Sequence, residues 1–167
     1  GFPTEGSMGL LLSGGSMANL TALTAARYRA YERAGHDMRR DGLHGGPRLV
    51  VYASDQTHSS VQKCVEMLGI GAANMRLVAT DDAFRIRPEA LAAMVAQDIA
   101  AGALPCAVVA NAGATNTGAI DPMDALADIA AEHGAWLHVD GAYGAIGRLD
   151  PDEAARFAGM ERADSLT

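Results

Sequence analysis

Apolar residues along this chain recur in two alternating patterns, and the alternation predicts the fold. Over residues 14–33, Met17, Leu20, Leu23, Ala26 and Ala30 return every three or four positions, the period of one helix face, and Gly35 follows where a helix would stop. Residues 48–53 instead hold Leu49, Val50, Val51 and Tyr52 in an unbroken run, which suits a strand covered on both faces of a parallel sheet. The two patterns then trade places down the chain. A helix is predicted over 59–68, a short strand over 75–78, a helix opened by Pro88 and closed by Gly102, and an apolar strand over 106–110. Asp121 as cap and Pro122 in the first turn open a further helix that runs to His133 and ends at Gly134. A last strand over 135–139 delivers Asp140 at its carboxyl end. Residues 36–47 carry Gly, Asp, Arg and His without periodicity and read as a surface loop. Strands alternating with helices in this way predict an α/β domain of three layers, α/β/α, with a mostly parallel sheet and helices on both faces.

Composition narrows the class. The chain has 167 residues, 49% hydrophobic and 20% charged, the profile of one soluble globular domain with a real core. A net charge of -7 and a pI near 5.1, with no basic stripe, exclude a nucleic-acid or anionic-membrane surface, since both need clustered Lys and Arg. Gly, Asp, Asn or Arg interrupt every apolar stretch before it reaches membrane-spanning length. Cys64 and Cys106 sit in apolar segments without metal-ligand spacing and read as buried free thiols of a reducing, cytoplasmic compartment. No metal site is expected. The chain starts at Gly1 rather than Met and opens in mid-pattern, so it reads as a piece of a longer protein.

Open α/β sheets bind ligands beyond the carboxyl ends of their strands, so polar residues at those ends are the candidates for chemistry. Four clusters qualify. Ser13, Gly14, Gly15 and Ser16 lead into the first helix, where open amides, a hydroxyl and the helix dipole favour an anion such as phosphate. Residues 54–60, SDQTHSS, place His58 beside the first apolar strand, with Ser59 or Ser60 as cap of the next helix. Residues 111–118, NAGATNTG, combine small residues that admit a ligand close to the backbone with hydrogen-bonding Asn and Thr. Residues 138–144, HVDGAYG, set Asp140 beside glycines, where a carboxylate can hold a protonated ring nitrogen. Each cluster alone also reads as ordinary structure: an N-cap, a turn, a polar loop, a turn aspartate with His138 as a satisfied core histidine.

In this order and spacing, LSGGSMANLTALTAAR, SDQTHSSVQK and LHVDGAYG resemble the group II pyridoxal-dependent amino-acid decarboxylases, which have the aspartate-aminotransferase fold (fold type I). The family includes aromatic amino-acid, glutamate, cysteine sulfinate and diaminobutyrate decarboxylases. The resemblance covers nearly the whole chain and implies that residues 1–167 are part of the large domain that binds pyridoxal 5'-phosphate. It implies that Gly15 and Ser16 hold the cofactor phosphate, that His58 stacks on the pyridine ring and that Thr115 contacts the cofactor. Asp140 then pairs with the ring nitrogen, and Ala142 packs on the ring face opposite His58. His58 and Asp140 become the catalytic pair. The implied reaction is decarboxylation of an L-amino acid to its amine, in a homodimer.

Two departures accompany the resemblance. Ala114 stands where many members carry a second threonine. The run ADSLT at residues 163–167 resembles the stretch that in the family leads to a His-Lys pair, and the lysine that forms the Schiff base is expected about five residues further on. The preceding N-terminal segment and the C-terminal small domain likewise fall outside the chain, which alone is not expected to be a competent enzyme. Other fold-type I reactions, such as those of aldehyde synthases and carbon–carbon lyases, share the same cradle, and a non-catalytic truncated homologue is a further reading. A nicotinamide-binding Rossmann domain fails because no strand is followed by the glycine fingerprint and its acidic ribose partner.

Overall fold

A computed structural model describes residues 5–167. Among the described residues, five α-helices and five strands follow in the order α1 Gly15–Arg33, α2 Met38–Asp41, β1 Leu49–Ser54, α3 Ser60–Met67, β2 Met75–Val78, α4 Pro88–Ala100, β3 Leu104–Asn111, α5 Met123–His133, β4 Trp136–Asp140 and β5 Ser165–Leu166. The strands form one sheet in the order β2-β1-β3-β4-β5, and every neighbouring pair is parallel. Parallel neighbours require crossovers; α3, α4 and α5 supply those between β1 and β4, and three short 3-10 turns carry the chain from β4 to β5.

Alternate strand residues face opposite layers. Val50, Tyr52, Val108, Ala110, Leu137 and Val139 pack with Leu91 and Val95 of α4 and Met123 and Leu126 of α5. Val51, Ala53, Ala107 and Val109 pack with Leu23 and Ala26 of α1 and Val61 and Val65 of α3. The central strands are therefore buried on both faces, which explains why they read as continuous apolar runs. Burying side chains of this size contributes about 2 kcal/mol each.

The helix stops fall where glycine was expected to put them: Gly35, Gly102 and Gly134 all have positive φ just beyond α1, α4 and α5. Pro88 opens α4. Both cysteines are buried free thiols. Among the described residues no helix is long and apolar enough to cross a membrane.

Several expectations are corrected. The stretch 36–47 is not all loop, because Asp37 accepts the Arg39 and Arg40 amides and starts the four-residue α2. Met17, counted in the apolar repeat of α1, is 42% exposed in the first turn of that helix. Asp121 does not cap α5. That helix begins at Met123 with Pro122 at its N-cap, and the Asp121 carboxylate turns inward to the amides of Ile86 and Asn111. Ser59 occupies the N-cap of α3 without a side-chain cap bond. β5 is only two residues long, too short to carry a pattern.

Candidate active site

The carboxyl ends of β1, β3 and β4 and the amino end of α1 meet around one open cleft of ≈ 270 Å³. Parallel register is the cause. Asn111 closes β3 directly beside Asp140 at the end of β4, and β1 releases the 55–59 turn at the same edge of the sheet. The glycines allow the loops to close up. A Cβ on Gly144 would lie 2.5 Å from the Ala112 carbonyl oxygen, and one on Gly113, at φ +92°, would lie 2.8 Å from the Gly144 Cα. The loops leaving β3 and β4 therefore pack backbone against backbone.

Gly15, Ser16, His58, Thr115, Asp140 and Ala142, the six site residues expected from sequence, all line this cleft. Gly15 and Ser16 open α1, whose N-cap Gly14 has no side chain to satisfy the first amides. A Cβ on Gly15 would sit 3.3 Å from the Ala142 Cβ, so these two residues form a close-fitting part of the wall. Thr115 is exposed on the loop after β3. No Lys or Arg lines the cleft among the described residues, leaving amides, hydroxyls and the α1 dipole as its anion donors.

Asp140 is buried and held from two sides. Asn19 Nδ2 donates to its Oδ2 at 2.8 Å, and the Ala142 amide reaches Oδ1 at 3.3 Å. The long second bond leaves Oδ1 with acceptor capacity toward the cleft. The same Asn19 Nδ2 donates to Ser60 Oγ at 3.1 Å, and Ser60 Oγ lies 2.8 Å from His58 Nδ1. The Ser60 amide also donates to His58 Nδ1 at 3.2 Å, so that nitrogen accepts and the neutral ring carries its proton on Nε2.

Behind Asp140, on the same side of β4, His138 is wholly buried and fully hydrogen-bonded. It does not line the cleft, but it touches Asn19, which does. Burial pushes its pKa down to about 4 against the opposing pull of Asp140, so the ring is neutral. Its Nε2 faces Asn19 Oδ1 at 3.1 Å and must donate there, while Nδ1 accepts from the Ser165 hydroxyl, which in turn accepts from Trp136 Nε1. The Asn19 amide has one workable orientation, because turning it over would set its oxygen against the Asp140 carboxylate.

Asn19 had no role assigned from sequence. One signal could have found it: it lies one helical turn after Gly15, on the face of α1 that meets the cleft. Ser60, Asn111, Gly113 and Tyr143 also line the cleft. They belonged to the four clusters, where Ser60 was a candidate helix cap and the other three carried no individual role.

The arrangement can hold an elongated, planar, dipolar molecule, with an anionic end at α1 and a protonated ring nitrogen at Asp140. Comparison with known proteins points the same way. The profile of the pyridoxal-dependent decarboxylase conserved domain matches residues 2–167. The chain is 42% identical over 167 residues to an aromatic-L-amino-acid decarboxylase of Bacillus atrophaeus, covering 100% of this chain and 32% of that protein. It is 38% identical over 168 residues to a phenylacetaldehyde synthase of Arabidopsis thaliana, covering 99% of this chain and 33% of the relative. The crystal structure of Oryza sativa TDC with PLP superposes with a TM-score of 0.87 at 38% identity, over 94% of this chain and 33% of that one. The chain thus spans about a third of the length of the relatives it matches.

Proposed function

This chain belongs to the pyridoxal-dependent decarboxylase family, and from that premise we propose that it is the cofactor-binding part of an enzyme that decarboxylates an L-amino acid to its amine. One observation carries the reading: six residues from four separate segments, each matched to the family on sequence, line a single cleft with a buried carboxylate in its wall. The cleft suits pyridoxal phosphate. Gly15 and Ser16 at the start of α1 would hold the phosphate, with Thr115 as a further contact. His58 and Ala142 would flank the ring, and Asp140 would keep a proton on the ring nitrogen through a charge-assisted hydrogen bond. Bound there, the cofactor supplies an electron sink for the pair left behind when a carboxylate departs as carbon dioxide.

The chain's own residues prepare for that role. Asp140 is oriented before any ligand arrives, because Asn19 and the Ala142 amide fix both oxygens. Pre-orientation spares reorganisation in the reacting complex. The His58 ring is oriented by Ser60, whose amide donates to Nδ1 and whose hydroxyl lies 2.8 Å from it. A homodimer is part of this reading, supported by Tyr143, Ile146 and Leu149, which stand 64%, 73% and 77% exposed on the segment that follows Asp140.

The similarity to phenylacetaldehyde synthase favours a second reading, in which the same cradle serves an enzyme that releases an aldehyde. The test is to load the full-length protein with pyridoxal phosphate, offer it aromatic and acidic L-amino acids, and measure carbon dioxide and the organic product. Amine with carbon dioxide is the expected outcome, and aldehyde selects the second reading. A protein that binds no pyridoxal phosphate refutes both.

A further inference from the structure

We propose that Asn19 is the positioning residue of this site, a single amide that holds the Asp140 carboxylate and, through Ser60, the His58 ring in mutual register. The inference rests on the proposed function and deepens it, since it names what aligns the two groups expected to grip one cofactor ring.

Three features of the geometry support it. Asn19 is 1% exposed and lies on α1, yet its polar atoms reach three residues on two other elements: Asp140 and His138 on β4, and Ser60 at the start of α3. Both amide hydrogens are spent on the site, one on Asp140 Oδ2 and one on Ser60 Oγ. Ser60 must then turn its own proton to His58 Nδ1, so donor direction runs from Asn19 to the ring of His58 without a break. The amide oxygen receives the remaining bond, from His138 Nε2, and this fixes which way round the amide stands.

The linked segments are far apart in sequence, and nothing else in the cleft joins Asp140 to His58 by side-chain hydrogen bonds among the described residues. His138 orients Asn19 from the core side and is itself held by Ser165. The order of control is therefore His138, then Asn19, then the two groups that face the cleft. Packing alone would be served as well by leucine at position 19, whereas the hydrogen-bond role would not.

The test uses the full-length protein and two independent readouts. In the cofactor-free protein labelled with [15N]histidine, Asn19→Leu is expected to move the His58 ring signals, and His138→Gln, which keeps a donor near the Nε2 position, to leave them close to unsubstituted values while His138→Leu moves them. With pyridoxal phosphate labelled at its ring nitrogen, Asn19→Leu is expected to weaken binding on the order of tenfold to a hundredfold and to shift the ring signal away from the protonated position. If Asn19→Leu does not fold, the two His138 variants carry the same readouts. Unmoved His58 signals together with cofactor affinity within about twofold of the unsubstituted protein would overturn the inference. Equal behaviour of His138→Gln and His138→Leu would overturn the order of control. A protein that binds no pyridoxal phosphate defeats the proposed function, and the histidine signals still decide the role of Asn19.

Discussion

Two aspartates stand at the same edge of the sheet and are bonded in different ways. Asp121 is 2% exposed and accepts from the Ile86 amide, the Asn111 amide and Asn111 Nδ2, at 2.7, 2.7 and 3.1 Å. Asp140, beside Asn111 at the end of β4, is nearly as buried at 8% but receives one short bond and one long one. Asp121 is saturated and ties the 80–86 loop to the end of β3. Asp140 keeps an oxygen open to the cleft. What separates the structural carboxylate from the one proposed to serve the site is spare acceptor capacity beside a cavity, since burial hardly differs.

Breaking each aspartate in turn should expose that difference. Asp140→Asn in the full-length enzyme is expected to cut carbon dioxide release on the order of a thousandfold. Its denaturation midpoint should move little, because Asn19 and the Ala142 amide can still be met by the amide oxygen or by water. A large loss of stability with activity intact would reverse the assignment. Asp121→Ala should do the converse, leaving the Ile86 and Asn111 donors unmet in the interior and costing about 3 kcal/mol in denaturant unfolding. Cofactor affinity of the folded fraction should remain.

pH sharpens the contrast through opposite signs. Burial raises the Asp121 carboxyl above its usual value, against the pull of the Ile86 and Asn111 bonds. Its contribution to stability is full below the unfolded value of 3.8 and is lost as pH rises through the folded one. His138, behind Asp140, is the reverse: with a folded pKa of about 4 against 6.5 unfolded, its contribution is full above pH 6.5 and is lost as pH falls toward 4. That loss amounts to about 3 kcal/mol. Unfolding measured from pH 7 to pH 4 should show the decline, and His138→Gln should flatten it. A slope unchanged in that variant would assign the effect elsewhere.

Gly144→Ala probes what keeps the two strand ends adjacent. The added Cβ would meet the Ala112 carbonyl and the Gly113 Cα, so the loops must part, at a cost of about 2 kcal/mol. Thermal unfolding and cofactor titration should fall together, because Thr115 and Ala142 line the cleft from those loops. Wild-type affinity in a destabilised variant would show that the loops' close approach serves stability alone.

Much of this was legible in the chain before folding. The unbroken apolar runs around Val51 and Val108 announced strands buried on both faces, and Gly35, Gly102 and Gly134 marked helix ends with one conformational reason in common. All six expected site residues proved to share one cleft, since polar residues at strand ends converge once the strands are parallel. Less was legible where a residue's partner is distant. Asp121 before Pro122 has the look of a cap, and only the fold brings Ile86 and Asn111 to it. Ser59 and Ser60 looked interchangeable, yet one is left without a cap bond and the other links Asn19 to His58.

By itself, then, the sequence determined the longer strands and helices, their mostly parallel arrangement and which loops supply the cleft, though not the short α2 and β5, because periodicity, punctuation by glycine and proline, and strand polarity are local properties. Only the tertiary structure decided how the polar atoms pair. Asn19, Ser60, His138 and Asp140 come from three elements and up to 121 positions apart, and a hydrogen bond exists only within about 3 Å. The bonds made by Asn19 and Asp121 therefore had no local signature to read, even where the spacing from Gly15 marks Asn19 as a residue of the cleft face.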